Sequence, residues 1–173
     1  EDVPKKLRGP KGTIVKITVI RAGNPNPIEF DITRDKIPIY SVDASFMYDN
    51  EVGYVKISRF SATTYNEFIQ ALNKLKGEGM TKLILDLRGN PGGFLEQAVK
   101  SSSQFLPAGN KIVYTQGRIT SFNEVYNSTG GKYTNTPLIV LVNEGSASAS
   151  EIVSGAVQDW DRGIIVGRRS LGK

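Results

Sequence analysis

Histidine and cysteine are both absent from the 173 residues. Without cysteine there is no disulfide, no thiol nucleophile and no thiolate ligand; without histidine, most zinc sites and imidazole acid–base chemistry go as well. Proton transfer is left to carboxylates, lysine and tyrosine. Long apolar runs are missing too: no stretch approaches the roughly 20 residues that span a bilayer as a helix, and no signal peptide is present. Opening at Glu1-Asp2-Val3, with neither an initiator Met nor a targeting pattern, the chain reads as a fragment. Lys and Arg outnumber Asp and Glu by 22 to 17, giving a pI near 9.4. The basic residues are scattered, however, with only small clusters at Lys5-Lys6-Leu7-Arg8 and Arg168-Arg169. No aromatic residues interleave with them to stack on bases, so the pattern argues for a solvated basic surface and against a nucleic-acid partner.

What is present is ordinary globular material, 39% hydrophobic and 23% charged, in a length that supports one core with a small appendage. The first part reads as β. Residues 13–20 are a β-branched run, and Ile28, Phe30 and Ile32 alternate with polar neighbours as a half-exposed strand does. Turn residues 21–27 lie between them and predict a hairpin. Residues 35–50 read as an irregular connector or edge strand, with Pro38 limiting ladder pairing. From Gly53 the pattern alternates strand and helix. Strands are predicted over 54–60, 82–87, 137–142 and 163–167. Helical stripes run through Phe68, Ile69, Leu72 and Leu75, through Leu95, Ala98, Val99 and Ser102, and through Ile152, Val153, Ala156, Val157 and Trp160. Thr64 and Glu67 fit a capping box, and Gly77 a helix stop. Residues 114–135, rich in Thr, Asn and Gly, read as a hairpin or mobile excursion. Continuous apolar strands separated by helices predict an α/β fold, its parallel sheet covered on both faces.

Open parallel sheets bind ligands beyond the carboxyl ends of their strands, and two turns fall there. The first, residues 86–94 (DLRGNPGGF), has glycines that let backbone approach a substrate and aim N–H groups inward, as an oxyanion hole requires. It serves equally as a chain reversal; a phosphate loop is disfavoured because no Gly-Lys-Ser/Thr follows. The second, residues 143–152 (NEGSASASEI), puts small hydroxyl residues at a strand-to-helix turn, where several hydrolases display a nucleophile. Ser146, Ser148 and Ser150 are equally suited to capping and packing. A serine nucleophile without histidine needs another base, and lysine is the known substitute. The chain ends at one, Lys173. Asp86 reads as a cap or as the partner of Arg88, Glu151 as a carboxylate favouring its helix dipole, and Tyr40, Tyr48 and Tyr54 as packing.

The ordered set LDLRGNPGG, LVNEGSASASEI and IVGRRSLGK resembles the C-terminal processing peptidases, or tail-specific proteases, which are serine proteases with a Ser–Lys dyad. LRGPKGT (residues 7–13) resembles the end of the PDZ domain those enzymes carry, and RDKIP (residues 34–38) the segment joining PDZ to protease core. The likeness runs through essentially the whole chain. It implies a PDZ remnant and connecting hairpin over 1–34, a linker or edge strand over 35–52, and a protease core over 53–173. That core would be the crotonase/ClpP-like α/β spiral. The resemblance further implies Ser148 as nucleophile and Lys173 as general base. The oxyanion hole would use the Ala149 N–H and a backbone N–H from Gly92 or Gly93. The family's orienting glutamine, four positions past the lysine, falls beyond residue 173 and is left unassigned. Leu171 stands where the family commonly has Phe.

No cofactor or metal is implied. The implied partners are protein or peptide substrates with apolar C-termini, at the periplasm or cell envelope after export; membrane association and a homodimer are left open. Two rival readings stand beside this one: a catalytically silent peptide-binding scaffold of the same fold, and a crotonase-like acyl-CoA enzyme. A lysine of pKa roughly 10.4 is protonated at neutral pH, so a dyad needs about 3 units of depression, roughly 4 kcal/mol of desolvation. The expectation is therefore that Lys173 is neutral in the active enzyme, against the apolar wall of residues 164–166. An unshifted titration in the intact protease would exclude it.

Overall fold

The structure, a computed structural model, describes residues 2–35 and 40–173. Pro38 and most of the RDKIP segment lie outside the described residues. The chain divides into two compact units, 1–39 and 40–173. The first holds the helix α1 (Asp2–Leu7) and the antiparallel hairpin of β1 (Ile14–Val19) and β2 (Ile28–Thr33). The alternation of residues 28–33 thus becomes the predicted strand. Arg34 ties this unit together, its guanidinium donating to the Leu7 and Lys6 carbonyls and to the Thr13 hydroxyl.

The second unit is built on a five-stranded sheet in the order β3-β4-β5-β8-β9. These strands are β3 (Val42–Met47), β4 (Val52–Ile57), β5 (Lys82–Asp86), β8 (Leu138–Val142) and β9 (Ile164–Gly167). β3, from the stretch read as a connector or edge strand, is the antiparallel edge; the other pairings are parallel. Helices α2 (Thr64–Gly77), α3 (Leu95–Ser103) and α4 (Ala149–Asp159) connect the strands. Between α3 and β8 lies a second hairpin, β6 (Lys111–Thr115) with β7 (Glu124–Asn127), whose first strand begins three residues before the Thr- and Asn-rich segment 114–135.

Two expectations are corrected here. Successive parallel strands are laid down in one direction across the sheet, and right-handed crossovers then put every connecting helix on the same side. Val55, Ile57, Leu83, Leu85, Val140 and Val142 face those helices and pack on Phe68, Leu72, Leu75, Ala98 and Val153 in one core. Their neighbours Tyr54, Ile84, Ile139 and Leu141 are only half-buried, and Ile164 is 63% exposed. The sheet is covered on one face, not both. The capping box at Thr64 also fails: Thr63 is the N-cap, and the Thr64 hydroxyl accepts the Ser61 N–H. Glu67 instead reaches the edge strand, its carboxylate accepting the Ser41 and Val42 N–H groups. Among the described residues no helix is long and apolar enough to cross a membrane.

Candidate active site

β5 and β8 are adjacent and in register, Leu83 beside Leu138 through Asp86 beside Leu141. The two turns singled out in the sequence therefore leave the sheet side by side, and they are bonded to one another. Asn90 makes most of that junction. It is fully buried, its side-chain amide donates to the Ile57 carbonyl at 2.9 Å, and its Oδ1 accepts the Gly92 N–H at 2.8 Å. Its own carbonyl accepts the Ala147 N–H and the Ser150 hydroxyl, both at 3.0 Å. The Asn143 side chain answers from the second turn, its Oδ1 accepting the Gly89 N–H at 2.8 Å.

This bonding separates the three serines that capping and packing considerations alone left equivalent. Ser146 is buried, donates to the Leu87 carbonyl at 2.8 Å and accepts the Asn143 N–H. Ser150 is buried on Asn90. Both are anchors of the turn. Ser148 lies between them, half-buried, at the N-cap of α4 with φ 54° and ψ −111°. A non-glycine residue at that φ carries strain of order 1–3 kcal/mol, which persists only where the surroundings enforce it. The enforcing contact is close. A Cβ at Gly92 would come within 2.8 Å of the Ser148 Cβ and 2.9 Å of the Ala149 nitrogen, so the first turn packs on the second only because glycine is there.

The N–H groups around Ser148 are of two kinds. That of Gly92 is taken by Asn90, and that of Ser148 by the Glu151 carboxylate at 2.9 Å. Those of Gly93 and Ala149 have no acceptor among the described residues. Gly93 is held at φ 144° by the Phe60 strand end, whose N–H and carbonyl bond Gly92 and Phe94 on either side of it.

β9 flanks β8 on its other side, and the chain leaving it folds back over the same turn. The Arg168 N–H donates to the Val142 carbonyl and the Leu171 N–H to the Ser146 carbonyl. Glu151 completes the closure. One carboxylate oxygen accepts the Gly172 N–H at 2.6 Å and the Ser170 hydroxyl at 2.8 Å. The other accepts the N–H of Ser148 and, at 3.2 Å, that of Lys173. Burial pushes this carboxyl up, but the Ser170, Gly172, Ser148 and Lys173 donors together hold it below the ordinary glutamate range. The sequence offered Glu151 only as a dipole partner. Its role as a bridge between the Ser148 and Lys173 main chains was missed, because the bonds come from backbone N–H groups and a serine hydroxyl, which no residue pattern announces.

Ser148, Glu151 and Lys173 line one open cavity of about 420 Å³, bounded by α4 and β6. Lys173 is exposed. Arg168 and Arg169 are exposed as well, Arg168 lying 3.5 Å from Glu144. Asp86, by contrast, belongs to a separate group. Fully buried, it accepts the Tyr54 hydroxyl at 2.6 Å and the Arg88 guanidinium at 2.7 Å. Burial pushes its carboxyl up, and the Arg88 and Tyr54 donors more than offset this and hold it below the carboxylate range. Phe46 stacks on Tyr54 across the β3–β4 ladder. Among the described residues no group of three or more Asp or Glu is arranged to hold a metal ion.

Residues 51–173 match the sequence profile of peptidase family S41. Over its full length the chain is 40% identical to a carboxyl-terminal-processing protease of Synechocystis sp.. It is also 40% identical, over 96% of its length, to the carboxy-terminal processing protease CtpA of Bacillus subtilis. The chain spans 41% and 35% of these two relatives, about two-fifths of their length. Among solved structures, a photosystem II D1 C-terminal processing protease superposes with a TM-score of 0.69 at 31% identity, covering 99% of this chain and 48% of that one.

Proposed function

This chain belongs to peptidase family S41, and from that premise we propose that it is the catalytic portion of a serine endopeptidase that cuts proteins near their carboxyl end. The observation that carries the reading is the single cavity lined by both Ser148 and Lys173. Lys173, as the neutral amine, takes the Ser148 hydroxyl proton while Oγ attacks the scissile carbonyl carbon. The carbonyl oxygen becomes an oxyanion, and the N–H groups of Gly93 and Ala149, which have no acceptor among the described residues, are its donors. Gly92 supports them indirectly, by permitting the close approach. As the tetrahedral intermediate collapses, the C–N bond breaks and the leaving amine receives the proton from Lys173. Water, deprotonated in turn by Lys173, attacks the ester; the new carboxyl-ended product leaves and Ser148 regains its proton. No step calls for a metal or cofactor. A substrate lying over the cavity supplies the desolvation that an exposed lysine otherwise lacks.

The proposal extends to the surrounding chain. Residues 1–34 are read as the end of a PDZ domain that takes the substrate's apolar C-terminus by strand addition. The core is read as a crotonase/ClpP-like spiral, and the working compartment as the periplasm or cell envelope. The deciding experiment incubates the intact protein with an unfolded substrate ending in apolar residues, beside Ser148→Ala and Lys173→Ala. Fragments are read by mass spectrometry. Cleavage is expected from the parent and lost by at least about 10³-fold in each variant. Cleavage surviving both substitutions removes the dyad assignment.

A further inference from the structure

We infer that Gly155 sets the size of the residue this enzyme accepts on the acyl side of the bond it cuts, and that the pocket above it takes a branched aliphatic side chain. The inference rests on Ser148 being the nucleophile. α4 starts one residue after Ser148, and Ile152, Gly155, Ala156 and Asp159 follow at spacings of three and four, so they share the helix face running away from the serine. The strand β6 lies across from that face, and Ile112 and Val113 complete the walls of the cavity that Ser148 and Lys173 line. After the first chemical step the acyl part of the substrate stays bonded to Ser148 Oγ while the amine part departs. The side chain that must be seated throughout is therefore the acyl one, and this cavity is contiguous with its attachment point.

The chemistry of the walls selects the occupant. Ile112, Val113, Ile152 and Ala156 offer hydrocarbon; of the polar groups on the lining, the Glu151 carboxylate is held by N–H groups beside the serine, and Asp159 lies about three turns from it. The floor lies open at one position. A Cβ built on Gly155 meets no atom within 4 Å, although glycine in a helix interior costs about 1 kcal/mol relative to alanine. Neither a positive φ nor a close contact requires glycine there. What its missing side chain provides is room in the cavity.

The test uses the intact protein and its Gly155→Ala and Gly155→Leu variants. It measures labelling by diphenyl phosphonates carrying an alanine-like or a leucine-like side chain. In this reaction the Ser148 oxygen bonds to phosphorus, phenoxide leaves, and the serine proton passes to Lys173. The wild type is expected to label faster with the leucine-like probe. In Gly155→Leu the leucine-over-alanine ratio falls on the order of 100-fold, the range set by a few methylenes in a fitted pocket, while alanine-like labelling persists. Gly155→Ala falls between, and both variants melt no lower than the wild type. Peptides varied one position at a time on both sides of the scissile bond locate the effect. An unchanged ratio, or a shift confined to the leaving side, overturns the pocket assignment and leaves the nucleophile standing. So does a wild-type preference for lysine that Asp159→Asn abolishes. If no probe labels Ser148 and Ser148→Ala cleaves as the parent does, the nucleophile reading fails and this inference with it.

Discussion

Glu151 shows how much geometry one side chain can carry. Its two oxygens hold main-chain N–H groups from both sides of the cavity, Ser148 on one side and Gly172 and Lys173 on the other. Its contribution is positional, since its donors are those three backbone N–H groups and the Ser170 hydroxyl. Glu151→Gln replaces one acceptor by an amide NH2 facing N–H donors and should free residues 170–173. An approximately 1 Å displacement of a reacting group can lower the rate by about 10²-fold, so kcat is expected to fall by that order with KM little changed. The sign of the pH effect follows from the depressed carboxyl. A group whose folded pKa lies below its unfolded value contributes stability above the unfolded value and loses it as pH falls through the folded one. The loop should therefore loosen progressively as pH drops below the ordinary value of 4.5, and the Gly172 amide resonance should titrate with it. A Gly172 resonance indifferent to pH, or a Glu151→Gln variant of unaltered kcat, would remove the positioning role.

At the scale of elements, the site is a junction of three strand ends, and its strongest member is the least conspicuous. Asn90 is one polar residue in a glycine-rich turn, yet it joins β4, its own turn and the Ser148 turn through the Ile57 carbonyl, the Gly92 N–H, and the Ala147 and Ser150 donors. Asn90→Ala leaves a buried carbonyl and a buried N–H without partners, which costs about 1–3 kcal/mol apiece. We expect a loss of about 3 kcal/mol in denaturant unfolding and a fall in labelling of Ser148 by a phosphonate. The turn itself was legible from its composition; the side-chain junction was not, because it joins residues 33 and 60 positions apart. Likewise SASAS announced a hydroxyl-rich helix start. The burial of Ser146 and Ser150 and their bonds to Leu87, Asn143 and Asn90 separate Ser148 from them.

At the scale of the whole molecule, the sheet has one sealed face and one half-open face, and adjacent residues of β5 report the difference. Leu85 is fully buried under the helices, whereas Ile84 points the other way and is half-buried. Leu85→Ala should cost about 2–5 kcal/mol through the cavity it leaves, and Ile84→Ala about 1 kcal/mol. Equal costs in denaturant titrations would mean that the second face is sealed too. The sequence reading assumed two covered faces because Ile84, Ile139 and Leu141 make the strands apolar throughout. Hydrophobicity records what a surface prefers, but the handedness of the crossovers decides which side the helices occupy.

The sequence by itself determined the alternation of strands and helices, the two turns at strand ends, and the exclusion of thiol and imidazole chemistry, which leaves proton transfer to carboxylates, lysine and tyrosine. These are properties of local pattern and of residue types present or missing, and they survive without knowledge of long-range contacts. Tertiary structure alone decided which serine faces the cavity, which N–H groups around it stay unpaired, and that a glutamate ties the Lys173 segment to the Ser148 turn. Each of those depends on strand order: β5, β8 and β9 lie side by side, so three turns distant in the chain meet at one edge and compete for the same few hydrogen-bond partners.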